Sequence, residues 1–303
     1  MPPRRSAEQF STGVLNFDKA AGETSFSVVN RLRRLTGARR VGHAGTLDPL
    51  ATGVLPILFE SATRLAEFAL RLPKTYLADI HLGFVTATDD AEGEREAVAD
   101  PSHLTADDVN AALSAYSGRI LQQPPAYSAV KLAGKRAYKL ARSGGELIRP
   151  AAREVEVYSA VLLDFQSGAQ PVARVEVKCG SGTYLRSIAR DLGERLGVGG
   201  YLGRLVRTAY GPLTLEAAVR ADDLLTPESV ADRLLPAEVI LPEMELVKLN
   251  VEQEAQVRQG RAVRVLPEPG PGPVRAHDSA GRLVALGHTD PLRRTFVPEK
   301  VLS

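Results

Sequence analysis

Residues 42–53 read Gly-His-Ala-Gly-Thr-Leu-Asp-Pro-Leu-Ala-Thr-Gly and run straight into Val54-Leu55-Pro56-Ile57-Leu58-Phe59. No other stretch restricts the fold as tightly. A glycine-rich loop must feed an apolar run that reads as a buried strand. Its glycines tolerate positive φ and the close approach of another backbone. Pro49 pushes Asp48 towards extended geometry, although Asp followed by Pro is also a good helix start, with Asp48 as its cap. Just upstream stand Arg31, Arg33, Arg34, Arg39 and Arg40, with no acid among them. A carboxylate on a rigid loop beside a cationic surface suits chemistry on a polyanion, and the arginines suit phosphate contact.

That clustering matters because bulk charge is uninformative: 38 basic against 36 acidic residues leave a net +2 over 303 residues. The length suits one large domain and a small one, and 44% hydrophobic residues support a packed core. A single cysteine, Cys179, excludes an internal disulfide and any multi-cysteine zinc site. The chain opens on polar residues and carries no apolar run long enough to span a bilayer, so it reads as soluble and cytoplasmic.

Along the chain, Gly13–Phe17 reads as a strand. Thr24 or Ser25 caps a helix that buries Val28, Leu32 and Leu35 and stops at Gly37. A second helix starts at Ser61. Lys74 to Phe84 alternates, with Tyr76, Ala78, Ile80 and Leu82 on one strand face. The acidic loop Thr86–Gly93 reads as a turn. Thr105-Ala106-Asp107-Asp108 opens a helix that closes at Gly118. Between 122 and 150, prolines break the helix while Tyr127, Lys131, Lys135, Arg136 and Tyr138 interleave basic and aromatic groups, a combination suited to RNA. Two long strands, 153–165 and 172–179, precede a helix with Arg186 in its first turn. A cation there opposes the helix dipole and invites a compensating anion. After a proline-bearing stretch ending at 246, short alternating segments separated by turns suggest a small barrel.

The stretch from Gly42 to Pro56 resembles the signature of the TruB family of tRNA pseudouridine synthases. Lys74-Thr75-Tyr76, Gly182-Thr183-Tyr184-Leu185-Arg186-Ser187-Ile188 and Gly199–Thr208 resemble its further motifs, though Ala20 and Ala87 depart from its usual proline and aspartate. The resemblance implies an α+β pseudouridine synthase core with a large, mostly antiparallel mixed sheet over residues 1–246, including an RNA-gripping insertion at about 122–150. It implies a PUA-like RNA-binding β-barrel over 247–303. Asp48, Tyr76 and Arg186 are then catalytic, with Arg186 paired to Asp48. His43, Leu205, Tyr127, Lys131, Arg39 and Arg40 contact the substrate. The implied reaction turns uridine 55 of the tRNA T loop into pseudouridine and needs neither cofactor nor metal. The implied partner is the T-arm of tRNA, with no membrane and no obligatory protein partner, the chain acting as a monomer. A non-catalytic tRNA-binding chaperone and a synthase for another RNA are the alternative functions.

Overall fold

The computed structural model describes residues 10–128, 149–241, 244–265, 270, 272–290 and 292–302, and the backbone alone of 131–132 and 135–136. The first half of the chain forms β1 (Gly13–Lys19), α1 (Ser25–Thr36), β2 (Val41–His43), β3 (Thr52–Phe59), a 3-10 segment (Glu60–Leu65) running into α2 (Ala66–Arg71), and β4 (Lys74–Leu82). Two small hairpins, β5 (Phe84–Thr86) with β6 (Arg95–Ala97) and β8 (Lys131–Leu132) with β9 (Lys135–Arg136), flank α3 (Ala106–Leu113) and β7 (Gly118–Gln122). Then follow β10 (Arg153–Gln166), β11 (Val172–Cys179), α4 (Leu185–Arg195), β12 (Gly200–Tyr210), β13 (Leu213–Thr214) and α5 (Pro227–Ala231).

Among the described residues, seven strands line up as β1-β3-β12-β4-β11-β10-β7, with β2 added to β3 and β13 to β12. Every pairing in this sheet is antiparallel except β3 with β12. The mixed, mostly antiparallel sheet is the one expected. Strand β4 alternates buried and half-buried residues along its whole length, whereas β3 buries seven of its eight residues. Those two patterns follow from position. Helices α1, α3 and α4 cover one face with Val28, Leu32, Val109, Ile188 and Leu192, and the segment around Ala62, Leu65 and Ala69 covers the other face of β1 and β3. Each such aliphatic side chain contributes about 2 kcal/mol by leaving water.

Capping chemistry sets the helix ends. Thr24 accepts a hydrogen bond from the Ser27 amide, and Gly37 ends α1 at φ 66°. Thr105 and Asp108 form a reciprocal capping box on α3. Three local expectations need correction. Helix α3 ends at Leu113, and Gly118, at φ 84°, opens β7 instead. The segment after β3 begins as a 3-10 turn and becomes α-helical only at Ala66. No helix follows Asp48: its carbonyl closes a tight turn by accepting from the Ala51 amide, and β3 starts at Thr52.

The C-terminal part contains β14 (Glu245–Lys248), α6 (Val251–Arg258), β15 (Val263–Arg264), β16 (Pro273–His277), β17 (Leu283–Asp290) and β18 (Thr295–Val301). They form a second sheet in the order β14-β16-β17-β18-β15 around Val247, Val257, Val274 and Phe296. Leu286 and Leu302 leave that core and pack with Leu58, Leu65 and Ile240 of the larger unit. Lys300 adds a hydrogen bond to the Arg64 carbonyl at 3.1 Å and an ion pair with Glu67 across the same seam.

Candidate active site

Asp48 sits on the β2–β3 loop, which lies over the C-terminal part of β12. The backbone on both sides of it is clamped. Ser25 Oγ receives the Leu47 amide at 2.9 Å and donates to the Leu47 carbonyl at 3.1 Å. The Pro49 carbonyl accepts from the Gly22 amide at 2.8 Å and from Lys19 Nζ at 3.3 Å. Lys19 is fully buried and also donates to the Ala20 and Glu23 carbonyls. Burial lowers its pKa from 10.5 to about 8, against the pull of Glu23 and Asp48.

Gly45 of the loop and Gly53 at the start of β3 are required by what lies beneath them. Gly53, at φ 98°, would place a Cβ 2.3 Å from the Arg207 carbonyl oxygen, and Gly45, at φ 68°, would place one 2.8 Å from the Tyr210 ring. The loop therefore lies directly on β12.

The Asp48 carboxylate faces outward, with 40% of its side chain exposed. Its Oδ2 lies 3.0 Å from a terminal nitrogen of Arg186, whose side chain is buried. The expected pair is present, but it is not a fork onto one carboxylate. The other terminal nitrogen of Arg186 reaches Asp90 Oδ2 at 3.4 Å and the Thr88 carbonyl at 3.2 Å, while the first also donates to the Tyr127 carbonyl at 2.9 Å. Arg186 thus bridges an exposed carboxylate and a buried one.

The loop read as a plain turn supplies the anions behind the site. Asp90 accepts from Thr88 Oγ1 at 2.6 Å and from the Glu92 amide at 3.0 Å. Asp89, at φ 59°, pairs with Arg190 and Arg149, each at 3.1 Å. Burial pushes the Asp89 carboxyl up in pKa, and the two arginines oppose that push. Sequence reasoning missed Asp89, Asp90 and Arg207. The only available hint was the demand of Arg186 for an anion, which Asp48 alone satisfied.

Tyr76 is buried on β4 directly opposite Arg207 of β12, and Leu205 lies two residues along, opposite Ala78. Burial raises the pKa of the Tyr76 phenol, and Arg207 opposes the rise. Leu205 belongs to the main apolar core on this same face. His43 ends β2, half-buried, and its Nδ1 is enclosed with no hydrogen-bond partner among the described residues. Burial and the Arg207 charge hold its pKa below the usual value. Tyr127 is half-buried and offers its carbonyl to Arg186.

Of the five arginines of the basic patch, Arg31 is paired with Glu23 and lies over the Phe17 ring, whereas Arg33, Arg34, Arg39 and Arg40 are exposed and have no ion-pair partner among the described residues. The Lys131 side chain lies outside the described residues, as do those of Lys135 and Arg136, and residues 137–148 in full.

Residues 33–185 match the family described as TruB family pseudouridylate synthase (N terminal domain), and residues 186–243 match the tRNA pseudouridylate synthase B C-terminal domain. A tRNA pseudouridine synthase B of Synechococcus sp. is 44% identical over 279 residues, covering 91% of this chain and 94% of its own. One from Dehalococcoides mccartyi is 42% identical over 277 residues, covering 90% and 91%. A chain in an archaeal box H/ACA sRNP Nop10–Cbf5 complex is 25% identical, with a TM-score of 0.69 over 96% of this chain and 86% of that one. A chain in an H/ACA RNP bound to a substrate RNA containing 2′-deoxyuridine gives a TM-score of 0.70 at 25% identity, over 96% and 85%.

Proposed function

The chain belongs to the TruB family of pseudouridylate synthases, and from that premise we propose that it isomerises uridine 55 in the T loop of tRNA. The reaction breaks the bond from uracil N1 to ribose C1′ and forms one from C5 to the same carbon. C5 gives up a proton and N1 ends with one, so no atom is gained or lost and the chemistry asks for no redox partner.

One observation carries this reading. Asp48 is accessible, while the cation that holds it is buried and tied to a second carboxylate. A carboxylate so placed stays aimed at whatever enters the site. Asp48 is the group that acts on the nucleoside, at C1′, at uracil C6 or on the 2′ proton. Tyr76 lies under the base and takes part in proton movement. Leu205 forms the pocket wall, and His43 fills the gap left when the uridine turns out of its loop. Arg39, Arg40, Tyr127 and Lys131 meet the RNA, assisted by a PUA-like C-terminal module over 247–303. The enzyme works in the cytoplasm as a monomer without an obligatory protein partner.

The test is the purified chain alone with unmodified tRNA transcript, mapping pseudouridine by position. Product at position 55, absent from a transcript carrying cytidine there, is expected. Tight binding without product makes the protein a tRNA-binding chaperone, and product at another position or only in another RNA overturns the site assignment.

A further inference from the structure

Arg207 is among the largest side chains fully sealed in the fold, with 1% exposure. A buried cation ordinarily sits against a carboxylate, yet no carboxylate oxygen among the described residues lies within ion-pair distance of it. Its hydrogen bonds go elsewhere. Nε donates to the Val54 carbonyl at 2.6 Å, and a terminal nitrogen donates to the Gly45 carbonyl at 3.0 Å. Arg207 also stands directly opposite Tyr76 across β12 and β4, and its charge opposes the rise that burial gives the phenol pKa. The guanidinium also lies 5.0 Å from the centre of the Tyr210 ring, a cation–π contact.

These acceptors have a common geography. Gly45 and Val54 flank the Asp48 turn in sequence, three residues before Asp48 and six after it. One planar fork therefore holds the loop at both ends.

We propose that Arg207 is a positioning residue of the isomerisation, fixing the Asp48 loop from beneath the site, beside Tyr76. The proposal rests on the roles given above to Asp48 and Tyr76. It assigns a function to a buried charge that the Asp48–Arg186–Asp90 bridge does not use.

Arg207→Lys keeps the charge but does not hold the Val54 and Gly45 carbonyls with one planar fork. The experiment measures its single-turnover rate, tRNA affinity and melting temperature. It also records the fluorine resonance of 3-fluorotyrosine placed at position 76. The expected result is a rate lower by about tenfold or more, tRNA affinity and melting temperature close to the parent, and a displaced fluorine resonance. A role in packing alone would lower the melting temperature and leave that resonance in place. A rate within about twofold of the parent, or an unmoved resonance, overturns the proposal. If Arg207→Lys does not fold, Arg207→Gln is read by the same criteria. Failure of both to fold assigns Arg207 to the fold and overturns the proposal as well. An inactive parent in the same assay would instead overturn the function proposed for the chain.

Discussion

Arg186 answers to two carboxylates at once, and that division of its nitrogens decides how it tolerates change. An ammonium group at the end of a lysine is a point charge and does not reach Asp48 and Asp90 together while also serving the Thr88 and Tyr127 carbonyls. Arg186→Lys should fold, bind tRNA normally and lose most of its single-turnover rate, and a rate within about twofold of the parent contradicts the bridge. Lys19 gives a pH test. Its folded pKa of about 8 lies below the ordinary 10.5, and Lys74 is lowered to about 8 in the same way by burial. Between those values the unfolded chain holds protons that the folded chain has lost, so both lysines make stability rise with pH. Activity should move the other way. Neutral Lys19 has two N–H groups for three carbonyls, so the clamp on Pro49 weakens as pH climbs through about 8. The expected outcome is an alkaline fall in single-turnover rate centred near 8, with no matching fall in the urea midpoint. A rate that stays level to about pH 10 contradicts the clamp. The Asp48–Arg186 pair was legible through the resemblance of the Arg186 motif to that of the family; the helix start, which disfavours a cation, said only that Arg186 calls for an anion, not which one. Asp89, Asp90 and Arg207 were not legible, since a loop carboxylate or strand arginine carries no local sign of a distant partner.

The β2–β3 loop exists in its observed shape because β12 runs beneath it. Gly53→Ala, at the start of β3, adds a Cβ 2.3 Å from the Arg207 carbonyl at φ 98°, which strains the backbone and pushes the end of the loop and the start of β3 off β12. The expected loss is about 2 kcal/mol or more, seen as a fall of several degrees in melting temperature together with reduced activity. Unchanged stability contradicts this packing. On α1 and the turn after it, Arg31 is spent on Glu23, which leaves Arg33, Arg34, Arg39 and Arg40 as exposed cations, the last two on the turn. Replacing these last two by alanine should weaken tRNA binding and reduce the salt slope of log K by about two, leaving the rate at saturating RNA unchanged. An unaltered slope means these residues do not meet phosphate. Strand periodicity and capping residues predicted α1, β3, β4 and the start of α3 from local chemistry alone. The end of α3 and the turn at Asp48 differed because tertiary contacts, not local preference, decide where a chain bends.

At the level of the molecule, the sheet brings three distant segments together: the β2–β3 loop with Asp48, β4 with Tyr76, and α4 with Arg186. The large mixed sheet was legible as a class, from long alternating strands separated by single helices. Its order was not, because the parallel contact of β3 with β12 joins strands far apart in the chain. The seam to the C-terminal sheet was equally hidden. Leu286 and Leu302 look like ordinary strand residues, and only the fold shows them packed on Leu58 and Leu65. The central claim is that this assembly binds tRNA through many groups but does its chemistry through one carboxylate. Asp48→Asn tests it most directly. Asparagine matches the volume of aspartate, and the turn is held by the Asp48 carbonyl rather than its side chain, so fold and melting temperature should persist. Removing a negative charge from an RNA-facing site should leave tRNA affinity equal or slightly tighter. The amide supplies neither a nucleophile nor a base, so the predicted result is a folded, tRNA-binding protein that forms no detectable pseudouridine. Measurable pseudouridine from purified Asp48→Asn, free of parental enzyme, would contradict the account.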